Sequence, residues 1–272
     1  MQASVIVTTY NWPIALQQVL KALAAQTHRG FEVIVADDGS TLETTECIES
    51  FQKKYPVPLR HVWQPDEGFK AAQIRNKAIA IAAGKLIIFI DGDCIPLPNF
   101  VERHLKLASP RYFISGNRVL LSQSFTQTQL AAPQAAALHE SRGWWMRRMK
   151  GECNRILPLF SLPLGPLRKL TPLRWKGAKT CNLSVWREDL LAVNGFDERY
   201  QGWGFEDSDL VIRLLHQGIN HLSGRFSVPV LHLWHPENAR TQTTRNLELL
   251  KARQRDQVVQ AEIGLNQWLN PL

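Results

Sequence analysis

The sequence is poor in cysteine and has no long apolar run. Its four cysteines are spread over 272 residues without a CxxC pair, which argues against a disulfide framework and a zinc knot. No stretch reaches the roughly 18 to 20 uninterrupted apolar residues of a membrane-spanning helix. The opening residues, MQASVIVTTYN, lack the basic and apolar regions of a signal peptide. These absences predict a globular, cytoplasmic protein that is soluble or peripherally attached to a membrane.

Two familiar nucleotide-binding signatures are also missing. The chain has neither a GxGxxG sequence nor a complete Walker A sequence, so dinucleotide-dehydrogenase and P-loop functions are disfavoured. A bound diphosphate must then be met by a metal ion and by side chains. Acidic residues are in the minority, 24 against 32 Lys and Arg, and the net charge of +8 favours acidic partners such as phosphates, anionic lipid or nucleic acid.

Short β-rich runs alternate with helix-period patterns in the first half of the chain. The predicted strands there are Ser4–Thr9, Glu32–Ala36, Leu59–Trp63 and Leu86–Ile90, and helical patterns cover 14–23, 40–55 and 70–83. Capping boxes are expected at Ser40 with Glu43 and at Asn99 with Glu102. This alternation predicts an α/β fold with a parallel, doubly wound sheet, and right-handed crossovers bring the carboxyl ends of its strands to one edge.

The later elements are less regular. Strands are expected at Tyr112–Ser115, Arg118–Leu121, Lys179–Trp186 and Ser227–Leu233, and helices at Asn99–Leu107, Arg187–Val193, Leu210–Gln217 and, as a charged tail, Arg240–Leu265. The resulting organisation is a single domain over 1–239 with a helical tail over 240–272. Within the domain we distinguish a first half (1–121), a basic insert (122–176) and a later half (177–239).

Two carboxylates follow the most apolar of the predicted strands. Asp91 and Asp93 flank Gly92 where the run Leu86–Ile90 ends, and such a pair suits a hard divalent cation that keeps positions open for phosphate oxygens. The simpler interpretation is a turn, since Asp-Gly is a common turn dipeptide. Two other strand ends carry polar clusters, at 8–11 and 37–40, and three clusters on one rim favour a binding site.

A nucleoside suits that rim, because Asp37 or Asp38 can accept hydrogen bonds from a base or a ribose. Lys70 and Arg75 lie on the following helix and either contact phosphate or form an ordinary solvated face. Between Arg142 and Lys179, ten cations stand against one acid, interleaved with tryptophans and a Pro-broken apolar run. That composition is typical of a membrane-interfacial segment and equally of an acceptor lid.

Three acidic residues follow a Gly-Trp-Gly sequence late in the chain. Capping of a helix explains Glu206, Asp207 and Asp209, but it does not explain two glycines around Trp203, which suit a sugar-stacking surface. A metal held by Asp93 needs a further ligand, and His232 and His235 offer imidazole, although a lone histidine is more often a core residue.

These stretches resemble inverting nucleotide-sugar glycosyltransferases of family 2 with the GT-A fold. The resemblance is carried by VIVTTYN, VADDGS, IDGDC, NGFDERYQGWGFEDSDL and HLWHP, and the WGFEDSDL stretch looks like the galactosyltransferase-type C-terminal half. It implies a mostly parallel central sheet flanked by helices. It also implies that Mn²⁺ or Mg²⁺ is the cofactor, with Asp93 and His235 as metal ligands and His232 as a weaker candidate.

The resemblance also assigns roles to the other site residues. Asp207, with Glu206 before it, matches the general base, and Trp203 the acceptor-side aromatic residue, with Gly204 and Asp209 beside it. For the donor site the resemblance implies Asp37, Asp38, Asp91 and Asp93. Together with the strand-end clusters and the helix cations, the predicted donor site comprises Thr8, Tyr10, Asn11, Asp37, Asp38, Lys70, Arg75, Asp91, Gly92 and Asp93. The implied reaction is inverting sugar transfer from a nucleotide-sugar, UDP-linked, to a glycan or lipid-linked glycan of the bacterial cell surface, such as lipopolysaccharide.

Two other functional classes are weighed against this one. A non-catalytic nucleotide-sugar or glycan-binding module could keep the same fold, but retained Asp93, Asp207 and His235 each cost desolvation without a task. A nucleic-acid-binding protein is ranked last, because the cations lie in one Pro-broken insert and not on a recognition helix.

Overall fold

The structure is a computed structural model that describes residues 1–131, 143–236 and 243–269. The first half alternates strands and helices: β1 Ala3–Thr9, α1 Pro13–Ala24, β2 Phe31–Asp37, α2 Leu42–Gln52, β3 Leu59–Trp63, α3 Ala71–Ile81, β4 Leu86–Asp91, β5 Cys94–Pro96 and α4 Phe100–Leu107. The second half comprises β6 Tyr112–Ser115, β7 Asn117–Leu120, α5 Gln123–Ala131, α6 Trp144–Met149, β8 Asn182–Trp186, α7 Arg187–Ala192, α8 Glu206–His216, β9 Asn220–Ser223, β10 Pro229–His232, α9 Thr243–Arg255 and α10 Asn266–Leu269.

A seven-stranded sheet with the order β3-β2-β1-β4-β8-β6-β9 forms the centre of the fold. β1 lies between β2 and β4 and is parallel to both. The register sets Thr9 beside Asp37 and Thr8 beside Asp91, so the polar residues that follow these strands share one edge. The predicted α/β fold with a mostly parallel sheet is confirmed, and so is the convergence of strand ends.

The sheet is not parallel throughout. β8 runs antiparallel to both β4 and β6, so the sheet is mostly and not wholly parallel, as the resemblance implied. A second sheet of three strands, β5-β10-β7, was not predicted at all. β5 is only three residues long and follows Asp93 directly, and its antiparallel pairing sets Cys94 opposite His232. This small sheet brings the end of β10 next to Asp93.

Buried apolar side chains fill both faces of the main sheet. Val5 and Val7 of β1 face one cluster and Ile6 the other, as the two-residue period of a strand requires. Because both faces are covered, β1, β2 and β4 are continuous apolar runs and do not alternate with polar residues. No helix in the described ranges is long and apolar enough to cross a bilayer.

Several predicted boundaries were wrong for local reasons. Neither predicted capping box forms: α2 has Thr41 at its N-cap, and the Ser40 hydroxyl instead accepts from the backbone N–H of Asn11. The Asn99 side chain likewise makes no cap bond. α8 begins at Glu206 and not at Leu210. The tail helix ends at Arg255, while the first residues of its predicted span, 240–242, lie outside the described residues.

Buried ion pairs hold helix α9 against α8 and against the loop that precedes α8. The Arg253 guanidinium contacts the carboxylates of Asp197 and Asp209, with 2.8 Å between Arg253 Nε and Asp209 Oδ1. Arg213 of α8 holds the other oxygen of Asp209 at 2.7 Å. Both carboxylates are fully buried, so the pairing is a condition for their burial.

Candidate active site at the strand edge

Asp93 lies within reach of two imidazoles. Its Oδ2 is 3.2 Å from His235 Nε2 and 3.7 Å from His232 Nε2. His232 ends β10, whose pairing with β5 fixes its distance from Asp93, and His235 follows in the next turn of chain. The Trp12 ring packs edge-on against His235 at 6.1 Å between centroids. One carboxylate and two nitrogens therefore meet at the end of β4.

This group of side chains fits a divalent cation. Burial raises the pKa of Asp93 and of Asp91, and the nearby imidazoles and Arg75 act in the opposite direction. Burial also lowers the pKa of His232, which favours the neutral imidazole that a metal requires. Carboxylate and imidazole ligands suit Mn²⁺, and the carboxylates suit Mg²⁺. The residues that would hold the ion are Asp93, His235 and His232.

Arg75 links this edge to α8. Its Nη2 is 3.5 Å from Asp91 Oδ1, and its Nη1 is 3.3 Å from Glu206 and 3.5 Å from Asp207. Its Nε also donates to Thr8 Oγ1 at 3.1 Å. The guanidinium is buried, so Arg75 does not lie on a solvated helix face. The prediction from sequence left a solvated face open for Arg75, and its burial excludes that alternative, while contact with phosphate stays a prediction.

Lys70 differs from Arg75 in what it contacts. Its ammonium pairs with the exposed carboxylate of Glu67, while its backbone N–H donates to Asp38 Oδ2 at 2.9 Å. Gln64 donates to the other oxygen of Asp38 at 2.6 Å. Lys70 therefore contacts Asp38 through its backbone N–H and not through its ammonium group.

Asp37 is fixed by two donors on neighbouring elements. The backbone N–H of Ser40 donates to Oδ1 at 2.9 Å, and His61 of β3 lies 3.1 Å from Oδ2. Tyr10 is half exposed, and its hydroxyl donates to Asp66 at 2.9 Å. Asn11 has a positive φ of 44°, and its side chain accepts from Thr41 at 2.8 Å. These hydrogen bonds join the loops that follow β1, β2 and β3.

Gly92 has a packing role that its neighbours explain. Its N–H donates to the carbonyl oxygen of Thr8 at 2.7 Å. A Cβ at this position would stand 2.9 Å from Thr9 Oγ1, closer than a normal contact. The structure therefore requires glycine between Asp91 and Asp93 because the turn packs against β1.

Glu206 and Asp207 begin α8 and point at Arg75. Phe205 precedes them with φ of 75°, an unusual value for a bulky residue, which turns the chain sharply into the helix. Thr180 donates to Asp207 Oδ1 at 2.7 Å and so fixes that carboxylate from a second side. Burial, and then the Asp207 charge, raise the pKa of Glu206 to about 7, while Arg75 opposes the shift.

Asp209 does not belong to the acceptor surface, and its prediction as an acceptor-binding residue is corrected here. It is fully buried, and its oxygens contact Arg213, Arg253 and the hydroxyl of Tyr200. It lies on the same helix as Asp207, but it faces the interior. The sequence pattern was a run of acidic residues at the start of a helix. Such a run does not indicate which residue faces the interior and which face the site.

Trp203 lies in the Gly-Trp-Gly loop, where the Lys179 ammonium stands 5.9 Å from the centre of its ring. The loop is fixed by Asn246 of α9, whose amide donates to the carbonyl oxygens of Gln201 and Gly204, each at 3.0 Å. Gly202 and Gly204 have positive φ values of 69° and 114°, which only glycine adopts readily. The two glycines therefore have a backbone reason for their positions beside Trp203.

The sequence prediction missed four residues that hold the site together: His61, Gln64, Thr180 and Asn246. His61 and Gln64 lie at and just after β3, the strand next to β2, so the strand order could have indicated them. Thr180 and Asn246 act from elements far away in the sequence, and no local pattern marks them.

Comparisons with known proteins agree with this architecture. The profile of Glycosyl transferase family 2 matches residues 4–159, more than half of the chain, and the profile described as the N-terminal domain of galactosyltransferase matches residues 169–234. Validoxylamine A glucosyltransferase of Streptomyces hygroscopicus subsp. jinggangensis is 30% identical over 227 residues, covering 79% of this chain and 52% of the relative. Hyaluronan synthase of Pasteurella multocida is 28% identical and covers 79% and 23%.

Solved structures share the fold. S. aureus TarS 1-349 in complex with UDP has a TM-score of 0.60 at 17% identity, with 99% of this chain and 70% of that chain covered. The mannosyltransferase PcManGT from Pyrobaculum calidifontis, in complex with GDP-Man and Mn²⁺, has a TM-score of 0.56 at 17% identity, covering 94% and 62%. The chain spans about half the length, or less, of the two curated relatives named above. Both the predicted family and the galactosyltransferase-type later half are confirmed. The chain belongs to glycosyl transferase family 2 and has the GT-A fold.

Proposed function

We propose that this chain transfers a sugar from a UDP-linked donor to a glycan or lipid-linked glycan, with inversion at the anomeric carbon. The observation that carries the proposal is the meeting of two groups at one sheet edge. Asp93 with His235 forms the first, Glu206 with Asp207 the second, and Arg75 contacts Asp91, Glu206 and Asp207. A transferase needs both a site for the leaving diphosphate and a base for the attacking hydroxyl.

The donor lies along the carboxyl ends of β1, β2 and β4. Asp37 and Asp38 bind the nucleoside, and Thr8, Tyr10 and Asn11 line the approach. The structures with UDP and with GDP-Man support a nucleotide-sugar as the donor, since they share the fold. When bound, Mn²⁺ or Mg²⁺ on Asp93 and His235 supplies positive charge opposite the diphosphate.

Asp207 acts as the general base. It lies at the start of α8, and Thr180 and Arg75 fix its carboxylate from two sides. The acceptor hydroxyl gives its proton to Asp207 as its oxygen bonds to the anomeric carbon, and the bond to the nucleoside diphosphate breaks in the same displacement. One displacement inverts the anomeric centre, and no covalent enzyme intermediate forms. Trp203 supplies the face on which the acceptor sugar stacks.

Arg75 has two tasks in this proposal. Its guanidinium offsets the charge of the acidic cluster before the donor arrives, and it keeps Glu206 from swinging toward the donor. The alternative, a binding module without turnover, would gain nothing from holding Glu206 and Asp207 buried beside each other, because burying like charges costs free energy.

The acceptor belongs, in this proposal, to bacterial cell-surface polysaccharide or lipopolysaccharide assembly on the cytoplasmic face of the membrane. Support comes from the relatives with names such as hyaluronan synthase and chondroitin synthase. Nucleic acid is not proposed as a partner, because the acidic cluster at the strand edge would repel it.

A screen of nucleotide-sugars tests the proposal directly. Thermal unfolding is measured with UDP-, GDP- and dTDP-linked sugars, with Mn²⁺ and with EDTA, and hits are then assayed for release of the nucleoside diphosphate. A ligand at a hundred times its Kd adds about 2.7 kcal/mol of stability, which a melting curve resolves. We expect a UDP-sugar to stabilise the protein in Mn²⁺ only. Stabilisation without any turnover across a panel of acceptors would support the binding-module alternative.

A further inference from the structure

Residues 144–176, named here the basic-apolar segment, expose an unusual amount of apolar surface. Nine of the eighteen large hydrophobic side chains that are exposed in the described part of the chain belong to it. The most exposed are Met149 at 85%, Leu170 at 72%, Trp145 at 70% and Leu173 at 70%. Scattered exposed apolar residues are normal, but a concentration of this kind marks an interaction surface.

The first part of this surface is one face of α6. Trp145 and Met149 are four residues apart and therefore lie on the same side of the helix. The opposite side is fixed to the domain, because Trp144 is buried and the Arg147 guanidinium lies 4.5 Å from the centre of the Phe125 ring. The exposed face is thus a consequence of how the helix docks.

The cations of the segment fall into two groups. Arg168 is buried and donates to the carbonyl oxygens of Leu162, Ser223 and Arg225, so it stabilises the fold and does not meet a partner. Six others are exposed. Two of these contact the domain: Arg155 donates to the carbonyl oxygen of Arg118, and the Lys169 ammonium stands 4.6 Å from the centre of the Tyr112 ring. The other four lie beside the apolar side chains: Arg148 and Lys150 at the end of α6, and Arg174 and Lys176 after Leu173. The only acid of the segment, Glu152, is paired with Arg147.

We propose that the basic-apolar segment docks on an anionic lipid bilayer. Exposed Trp, Met and Leu side chains enter the interface between headgroups and acyl chains, and the four cations beside them pair with anionic headgroups. Both kinds of side chain alternate along one segment, which is the composition of an interfacial element. A protein partner that shields the same leucines would have no need of four exposed cations beside them.

The segment leads directly to the proposed catalytic site. Thr180 follows Leu173 by seven positions, a span of at most about 25 Å. Thr180 donates to Asp207, and Lys179 stands over the Trp203 ring. A bilayer that contacts Leu170 and Leu173 therefore lies within reach of a lipid-linked acceptor at Trp203. This last step rests on the proposed function, whereas docking itself does not.

Vesicle co-sedimentation of the whole chain, without donor or metal, tests the docking. Vesicles of phosphatidylcholine alone are compared with vesicles that contain phosphatidylglycerol, at low and high salt. A charge variant carries R148S, K150S, R174S and K176S, and an apolar variant carries W145S, M149S and L170S. Their matched controls change four exposed lysines elsewhere (K53S, K54S, K85S, K251S) and three exposed apolar residues elsewhere (I14S, L42S, I81S).

We expect binding to anionic vesicles that falls at least tenfold in high salt and in either segment variant, while both controls bind like the wild type. Equal loss in a segment variant and its control, or no binding by the folded wild type, overturns the proposal. Sedimentation velocity adds a second readout. A wild-type dimer that the apolar variant converts to monomer would assign the surface to a second copy. Release of UDP without vesicles is measured in parallel, so failure of docking is distinguished from failure of sugar transfer.

Discussion

Arg75 Nη1 lies 3.3 Å from Glu206 Oε1, although 131 positions separate the two residues in the chain. Arg75 belongs to the helix after β3, and Glu206 begins the helix of the galactosyltransferase-type half. Their contact joins the donor half of the proposed site to the acceptor half. A disturbance of either residue is therefore expected to reach both halves.

Asp207→Asn is the sharpest test of the base. Asparagine keeps the size and can still accept from Thr180, but it cannot take up the acceptor's proton. We expect turnover to fall at least about a hundredfold while donor affinity is kept. Asp256→Asn, on the exposed surface after α9, is the matched control and should be silent. Near-normal turnover by Asp207→Asn would move the role to Glu206.

The metal ligands predict a ranking of variants. Asp93→Asn should abolish turnover and the stabilising effect of Mn²⁺, because every proposed ligand set includes Asp93. His235→Ala should raise the Mn²⁺ concentration needed for half-maximal turnover more than His232→Ala does, since His235 Nε2 is closer to Asp93. The measurement is a Mn²⁺ titration of turnover and of thermal unfolding, with His28→Ala as control. Full activity in excess EDTA would contradict a metal-dependent site.

Glu206 predicts a specific pH dependence of stability. Its pKa is about 7 in the folded protein against an ordinary value of 4.5. Between these values the folded protein keeps the proton that the unfolded chain releases, so the free energy of unfolding falls as pH rises toward and through 7. Glu206→Gln removes the titrating carboxyl and with it this pH dependence. Relative to the wild type, the variant should gain on the order of 2 kcal/mol between pH 5 and 8, measured by urea unfolding in EDTA. Parallel pH profiles of the two proteins would rule the shift out.

Substitution of Asn246 is expected to affect the acceptor KM and not the affinity for the donor. Its amide holds the carbonyl oxygens on either side of Trp203, so Asn246→Ala should loosen the acceptor loop. We expect the acceptor KM to rise several-fold and donor affinity to stay unchanged, with a loss of about 1 to 3 kcal/mol in stability. Asn246→Asp, which cannot donate those bonds, should resemble the alanine variant. A change in donor affinity alone would contradict a positioning role for Asn246.

Regular features of the fold could be predicted from the sequence, because they depend on local patterns. The bounds of β3 and β6 agree with the prediction. β1 begins one residue earlier than predicted, β4 ends one residue later, and β2 is longer by one residue at each end. What the pattern could not give is strand direction: nothing in the sequence of β8 indicates that it pairs antiparallel to β4. The three-residue β5 is too short to have a period.

The site shows the same division. Asp91, Asp93, Asp37 and Asp38 could be located from strand ends, because a carboxylate without a partner is costly to bury inside a sheet. Asp207 and Asp209 could not be separated, since which side of α8 faces inward depends on Arg213 and Arg253. The burial of Arg75 could not be predicted either, because it depends on its partners Glu206 and Asp207 on α8, which are distant in sequence.

The ion pairs of Arg253 have a consequence for exchanging segments between related enzymes. A hybrid that joins this chain to a relative just after β10 would separate Asp197 and Asp209 from the guanidinium that accompanies their burial. Such a hybrid must carry α9 together with the stretch from Asp197 to α8, or replace all three charged groups at once. Helices α8 and α9 are therefore expected to be exchanged together between related enzymes, although they are separate in sequence.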